Sequence, residues 1–181
     1  MTGNKQAFVL ATVGTDHHPF DRFVDWIDMW QSRNSDCEVF VQRGTTTRVP
    51  KATSAQWLEP GELDAMFRRA DAVVCHGGPS TIMEARQAGV VPVVIPRDPS
   101  LGEHVDGHQL RFTEFMAAKG AVLAARTEDE LSNHLERVAH GDTERIVVGP
   151  PTETLDRIRT RIDVVMERPA RPLLKPWGRR P

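Results

Sequence analysis

Two cysteines in 181 residues cannot make a disulfide framework, and both Cys37 and Cys75 fall inside apolar runs, so they read as buried reduced thiols. No apolar run reaches the ~18 residues that a membrane span requires. The opening MTGNKQAFVLATVG also lacks the basic and long apolar regions of a secretory signal. The expectation is a cytoplasmic chain that is neither inserted nor exported. Excess positive charge is missing too: 23 Lys and Arg stand against 25 Asp and Glu, and the pI is near 6.4, which argues against a nucleic-acid partner. Several site signatures are absent. There is no G-x-G-x-x-G after the first apolar run, no G-x-x-x-x-G-K-[ST], and no G-x-S-x-G, which removes the usual supports for dehydrogenase, nucleoside-triphosphatase and hydrolase readings.

What is present alternates between two periods. Apolar runs at 7–13, 37–42, 52–58, 71–75, 91–95 and 121–125 read as six strands, and segments of 3.6-residue period lie between them. That pattern implies a Rossmann-like, doubly wound α/β domain with a parallel sheet of about six strands. Phe20, Phe23, Val24, Ile27 and Trp30 form one helical stripe, with Pro19 read as the first helical residue. Leu63, Met66, Phe67 and Ala70 form a second, and Phe112, Phe115 and Met116 a third that ends at Gly120. Thr127 to Glu130 has capping-box spacing and opens a helix with Leu131, His134, Leu135 and Val138 inward, His134 at the core edge. After a Gly-Pro-Pro break at 149–151 comes a helix over 151–167, striped by Leu155, Ile158, Ile162 and Val165, and then a Pro/Arg-rich tail over 168–181. The domain proper is therefore expected to be 1–150.

In an open parallel sheet, ligands bind beyond the carboxyl ends of the strands. Two connections there carry polar and glycine residues. VGTDHHPF follows the first strand and has Gly14 for a tight turn, with His17 and His18 on a loop expected to face the cleft. HGGPST follows the fourth strand, with Gly78 at an N-cap and Pro79 at N1, so Ser80 and Thr81 ride on the first helical turn. Unpaired N–H groups and the positive end of the helix dipole make such a turn an anion site. Glu84, one turn past Ser80, suits a sugar diol attached to that anion; the plain alternative is a capping hydroxyl and a solvated carboxylate. His104 and His108, with Asp106 between them, have a metal-ligand spacing only if helical throughout. No third ligand declares itself, and Gly107 favours a loop end, so no metal is expected. His108 and Gln109 are instead placed at a helix start, aimed into the cleft beside Glu84.

HGGPSTIMEARQAGVVPVVIPR followed by EHVDGHQ, together with ATVGTDHHPFDRF, resembles the C-terminal, donor-binding half of glycosyltransferase family 28, of GT-B architecture, over about residues 7 to 140. The single-domain bacterial exopolysaccharide glycosyltransferase subunits, which are similar to the catalytic subunit of the dolichol-linked N-acetylglucosamine transferase, have the same order of motifs. The resemblance implies a UDP-sugar as substrate, with Gly14 and Thr15 near the diphosphate. Gly77, Gly78, Ser80 and Thr81 would hold it from the helix end, with His76 also among the donor-binding residues. Glu84 would take the ribose, Gln109 with His108 the donor sugar, and backbone near Trp57 and Leu58 the uracil. No cofactor and no metal requirement are expected, because helix N-terminal amides at Gly78 to Thr81, with the adjacent hydroxyls, can stabilise the leaving group's charge without a metal. A complete GT-B enzyme has two such domains and this chain has one, so a membrane-anchored, acceptor-binding partner subunit is expected to bring a lipid-linked saccharide acceptor to the inner membrane face. His17 and His18 are the local candidates for the general base. The rival reading is a nucleotide-sugar binding or regulatory module without turnover.

Overall fold

The computed structural model describes residues 6–139. Its centre is β1 (Phe8–Thr12), FVLAT, buried at every position, as expected for a strand covered on both faces. Beside it lie β2 (Glu38–Gln42) and β4 (Ala72–His76). The edges are the short β3 (Thr53–Ala55) and β6 (Leu123–Ala124), with β5 (Val93–Ile95) between β4 and β6. All pairings are parallel, and the order is β3-β2-β1-β4-β5-β6. The expected doubly wound sheet of six strands is therefore present, with its order reversing between β1 and β4.

Alternate residues of each strand face opposite layers. On one face Val9, Ala11, Val39, Val41, Val74 and Val93 pack with Phe23, Ile27 and Trp30 of α1 (Asp21–Arg33) and with Leu131 and Leu135 of α5 (Glu128–Ala139). Arg33 ties these two helices together, donating to Ser132 Oγ at 2.7 Å and pairing with Glu128. On the other face lie α2 (Pro60–Arg69), α3 (Pro79–Gln87) and α4 (His108–Ala118), with α2 against α3. Fully burying side chains the size of Phe23, Ile27 or Leu131 contributes roughly 1.5–3 kcal/mol each. Cys37 and Cys75 are buried free thiols, and burial pushes the Cys75 thiol far above its ordinary pKa.

Several boundaries differ from the sequence reading. The third and sixth strands shrink to edge pieces, and the fifth starts after Pro92, which has no N–H to donate. Pro19 is not the first helical residue: Phe20 is the N-cap and Asp21 begins α1. Phe115 does not face the core; it is 49% exposed, and Thr113 takes the buried position beside Met116. Leu63 and Met66 are only half-buried, so the α2 stripe rests mainly on Phe67 and Ala70. The Thr127 box is half formed: its hydroxyl accepts from the Glu130 amide at 3.2 Å, while Glu130 reaches back to the Arg126 amide. Gly120 stops α4 with φ +65°, and His134 sits at the core edge, 3.1 Å from the Ala124 carbonyl. The Val138 side chain, the 151–167 helix and the 168–181 tail lie outside the described residues. Among the described residues no helix is long and apolar enough to cross a membrane.

Candidate functional site

The loops that leave β1 and β4 emerge side by side at the carboxyl edge, because the two strands are parallel neighbours in register Thr12 to Cys75. Between them stands the His76 imidazole. A Cβ on Gly14 would meet its Nε2 at 2.3 Å, and one on Gly78 would meet its Cε1 at 2.1 Å. The two glycines are thus required by a ring wedged between two backbones, and Gly14 is held at φ +75° as well. Burial, aided by the Arg97 guanidinium, pushes the His76 pKa down to about 4, so the ring is neutral at neutral pH. It gives the anion site shape rather than charge.

Past His76, Gly78 is the N-cap of α3 and Pro79 is N1; the cap has no side-chain hydrogen bond. The first-turn amides of Ser80 and Thr81 therefore have no intrahelical acceptor. Thr81 Oγ1 lies 3.4 Å from His76 Nε2. Glu84 follows one turn along, accepts no hydrogen bond from any described residue, and has its pKa raised by partial burial and by the Asp64 carboxylate. These groups line a cleft of about 470 Å³ whose far wall is Trp57, Leu58 and Leu63. Trp57, 48% exposed, offers an aromatic face there.

Two buried side chains brace the loops. Gln42, at the end of β2, accepts from Thr12 Oγ1 at 2.6 Å and from the Gly14 amide at 3.2 Å, and donates to the carbonyls of Gly14 and Gln56. It fixes the Gly14 turn against the loop that carries Trp57. Arg97, fully buried, donates to the carbonyls of Val13, His18 and Glu103 and stacks 4.6 Å over the Phe20 ring. The Glu103 carboxylate takes a bidentate pair from Arg22, at 2.8 and 2.7 Å, and the Asp98 amide. Together they clasp the loop after β1 to the segment 96–104.

Of the residues singled out in the sequence, Gly14, Thr15, Trp57, Leu58, His76, Gly78, Ser80, Thr81, Glu84 and Gln109 line the one cleft. Gly77 does not: it is buried against α4, and its amide donates to Gln109 Oε1 at 3.1 Å. The same oxygen accepts the Arg97 amide at 3.2 Å, so Gln109 ties β4 to β5, and its amide nitrogen is what it has left for a ligand. His108 does not line the cleft either. It is exposed and turned to Asp106, 2.6 Å from Nδ1, because α4 begins only at His108 and the preceding Asp-Gly turn carries it outward. His17 and His18 are also absent from the cleft wall. Asp16 takes the cleft-facing place, and its carboxylate accepts the His18 amide at 2.8 Å and meets the ring at 2.7 Å, which turns the histidines aside.

Sequence reasoning missed Asp16, Gln42, Arg97 and Glu103. A glutamine closing an apolar strand and an arginine directly after VPVVIP are polar groups where burial is expected, and that signal could have marked both.

An open doubly wound sheet, with helix-tip amides, hydroxyls and a free carboxylate converging at its switch point, defines a Rossmann-like α/β domain of the kind that forms the C-terminal half of GT-B proteins. Residues 9–146 match the glycosyltransferase family 28 C-terminal domain, and the chain belongs to that family. A stretch of 83 residues is 39% identical to the UDP-N-acetylglucosamine--N-acetylmuramyl-(pentapeptide) pyrophosphoryl-undecaprenol N-acetylglucosamine transferase of Xylella fastidiosa (strain M12), covering 45% of this chain and 22% of that protein. Among solved structures, the glycotransferase of kitacinnamycin is similar with a TM-score of 0.58 and 18% identity, over 92% of this chain and 44% of that one. MurG of Acinetobacter baumannii is similar with a TM-score of 0.55 and 16% identity, over 93% and 54%. At those identities the likeness is one of fold. The chain spans about half of these solved proteins and under a quarter of the curated relative.

Proposed function

We propose that this chain is the donor-binding, catalytic subunit of an inverting, two-subunit glycosyltransferase that moves a sugar from a UDP-sugar to a lipid-linked acceptor in polysaccharide biosynthesis. The observation that carries the reading is the pairing, in one cleft, of the uncapped α3 tip with the unpartnered Glu84 one turn behind it. The first supplies amides and hydroxyls for a diphosphate; the second is a carboxylate able to accept from a ribose diol. Trp57 and Leu58 border the base, and Gln109 offers its amide to the donor sugar.

Sugar transfer is limited by departure of the nucleoside diphosphate, as charge builds on its β-phosphate. Preorganised donors at Ser80 and Thr81 stabilise that charge in place of a metal; one such donor is worth about 10²- to 10³-fold in rate in other enzymes. Neutral His76 keeps the two loops apart at the spacing that Gly14 and Gly78 allow. The acceptor's proton needs a base. With His17 and His18 off the cleft wall, that role and the acceptor pocket fall to the partner subunit, which is membrane-anchored and places this chain at the inner membrane face. The name of the Xylella relative includes an undecaprenol-linked acceptor, which supports the acceptor class.

A lone donor domain leaves one wall of the cleft open to water, so it neither positions an acceptor nor excludes hydrolysis. Transfer from labelled UDP-sugar to lipid-linked acceptors should be negligible with the purified chain and appear when the acceptor subunit is added. Efficient transfer by this chain alone overturns the two-subunit arrangement. Donor binding without transfer beside every candidate partner favours the binding-module reading. Donor binding should persist in EDTA.

A further inference from the structure

Four of the chain's 7 histidines gather beside the cleft in an unbroken series of ring contacts. His17 and His18 have ring centroids 4.0 Å apart, His18 and His104 5.6 Å, and His104 and His108 4.6 Å. Two carboxylates run through the group. Asp16 presents one oxygen to His18 Nδ1 at 2.7 Å and the other to His104 Nε2 at 3.3 Å, and Asp106 meets His108 Nδ1 at 2.6 Å. In each loop, Asp16 with His17 and His18, and His104 with Asp106 and His108, one ligand atom per residue lies within 4.8 Å of the others. The donor reading uses none of the four imidazoles.

We propose that this cluster binds one divalent transition-metal ion across the two loops, held by Asp16 and His104 and completed by an imidazole from each side, His18 and His108. The Asp16 to His104 separation is the first ground. At 3.3 Å it is long for an imidazole–carboxylate hydrogen bond, yet it matches the ~3.3 Å ligand–ligand edge of a tetrahedron with metal–ligand bonds of ~2.0–2.1 Å. Charge is the second. Two carboxylates, Asp16 and Asp106, lie against the imidazoles and offset the charge of the ion. Arg97 turns its Nη1 and Nη2 groups to the carbonyls of Val13, His18 and Glu103.

Position is the third. The Arg97 and Arg22–Glu103 clasp already brings the two loops together, so little ordering remains for the ion to impose. Imidazole-rich, mixed N and O ligation selects Zn²⁺, Co²⁺ or Ni²⁺ over Mg²⁺. The ion would cross-link the loop after β1 to the start of α4 at the rim of the cleft. This inference does not rest on the donor reading, since metal uptake is measured with no nucleotide present.

The test is titration of chelator-stripped protein with Co²⁺, followed by its visible d–d absorption, and with Zn²⁺ in competition. One ion per chain is expected, with the strong absorption of a four-coordinate site and no displacement by Mg²⁺. Affinity should fall at least tenfold in Asp16→Asn and in His104→Gln, and stay unchanged in His134→Gln. Bound Zn²⁺ should raise Tm by several degrees in the wild type and not in the two variants. If those variants fail to fold, NMR of the wild type decides: Co²⁺ should broaden the ring signals of His18, His104 and His108 first and spare His134. Uptake that is non-stoichiometric, equal for Mg²⁺, undiminished in folded Asp16→Asn and His104→Gln, or that broadens His134 first overturns the proposal.

Discussion

Replacing Gly14 with alanine tests whether the two loops are spaced by the His76 ring. The added Cβ falls 2.3 Å from Nε2, 2.8 Å from Cδ2 and 2.9 Å from Cε1 of His76, all inside contact distance, at a residue with φ +75°. The left-handed conformation costs an L-residue about 1–2 kcal/mol, and forcing a methyl into a packed position costs about 1–3 kcal/mol more, so Gly14→Ala should lose roughly 2–5 kcal/mol. Gly89→Ala separates the two contributions, because Gly89 has φ +82° and a Cβ added there would meet nothing within 4 Å; it should lose only about 1–2 kcal/mol. His76→Ala should then relieve the steric part alone, giving a coupling of about 1–3 kcal/mol with Gly14→Ala in a double-mutant cycle. Urea denaturation at constant m-value provides the energies. Equal losses for Gly14→Ala and Gly89→Ala, or no coupling to His76, would refute the wedge.

Neutral burial of His76 makes stability depend on pH. Its pKa is about 4 in the folded chain against 6.5 ordinarily, so the unfolded chain binds more protons between those values. The contribution is complete above about pH 6.5 and is lost as pH falls toward 4, on the order of 3 kcal/mol in all; His76→Gln should flatten that part of the curve. Arg97→Lys should cost about 2 kcal/mol or more, because an ammonium cannot serve three carbonyls in the guanidinium's fork, and hydrogen exchange of the 13–20 amides should quicken. Phe115→Ala should be within about 0.5 kcal/mol of wild type, whereas Met116→Ala, one residue on and fully buried, should lose about 2–5 kcal/mol by urea denaturation.

The sheet was legible because its signal is local. FVLAT and AVVCH are runs that only a strand covered on both faces tolerates, and Phe23, Ile27 and Trp30 recur at the helical period. The edge strands were overestimated because apolar composition does not report where pairing ends; Trp57 and Leu58 continue the run but belong to the loop before α2. Phe115 misled for a related reason, since hydrophobicity alone does not choose between adjacent faces of a helix. In the cleft, the HGGPST turn and Glu84 could be placed because N-cap, N1 and one-turn spacing are fixed by helix geometry. His108 could not, because an Asp-Gly turn decides its direction. Arg97 and Gln42 act on backbone 84 and 28 residues away, and no local pattern encodes such partners. The meeting of Asp16 with His104 is of the same kind.

We propose that the cleft at the carboxyl ends of β1 and β4 takes a nucleoside diphosphate sugar, with Glu84 on its ribose. The most direct measurement is a calorimetric titration of UDP into the wild type and Glu84→Ala, with folding of both checked by their urea transitions. Loss of charge-assisted hydrogen bonds costs about 1–3 kcal/mol, so the variant should bind roughly 5- to 150-fold more weakly, and 2′,3′-dideoxy-UDP should bind the two proteins alike. Equal affinity of folded wild type and Glu84→Ala for UDP, or no UDP binding by the wild type, would contradict the account.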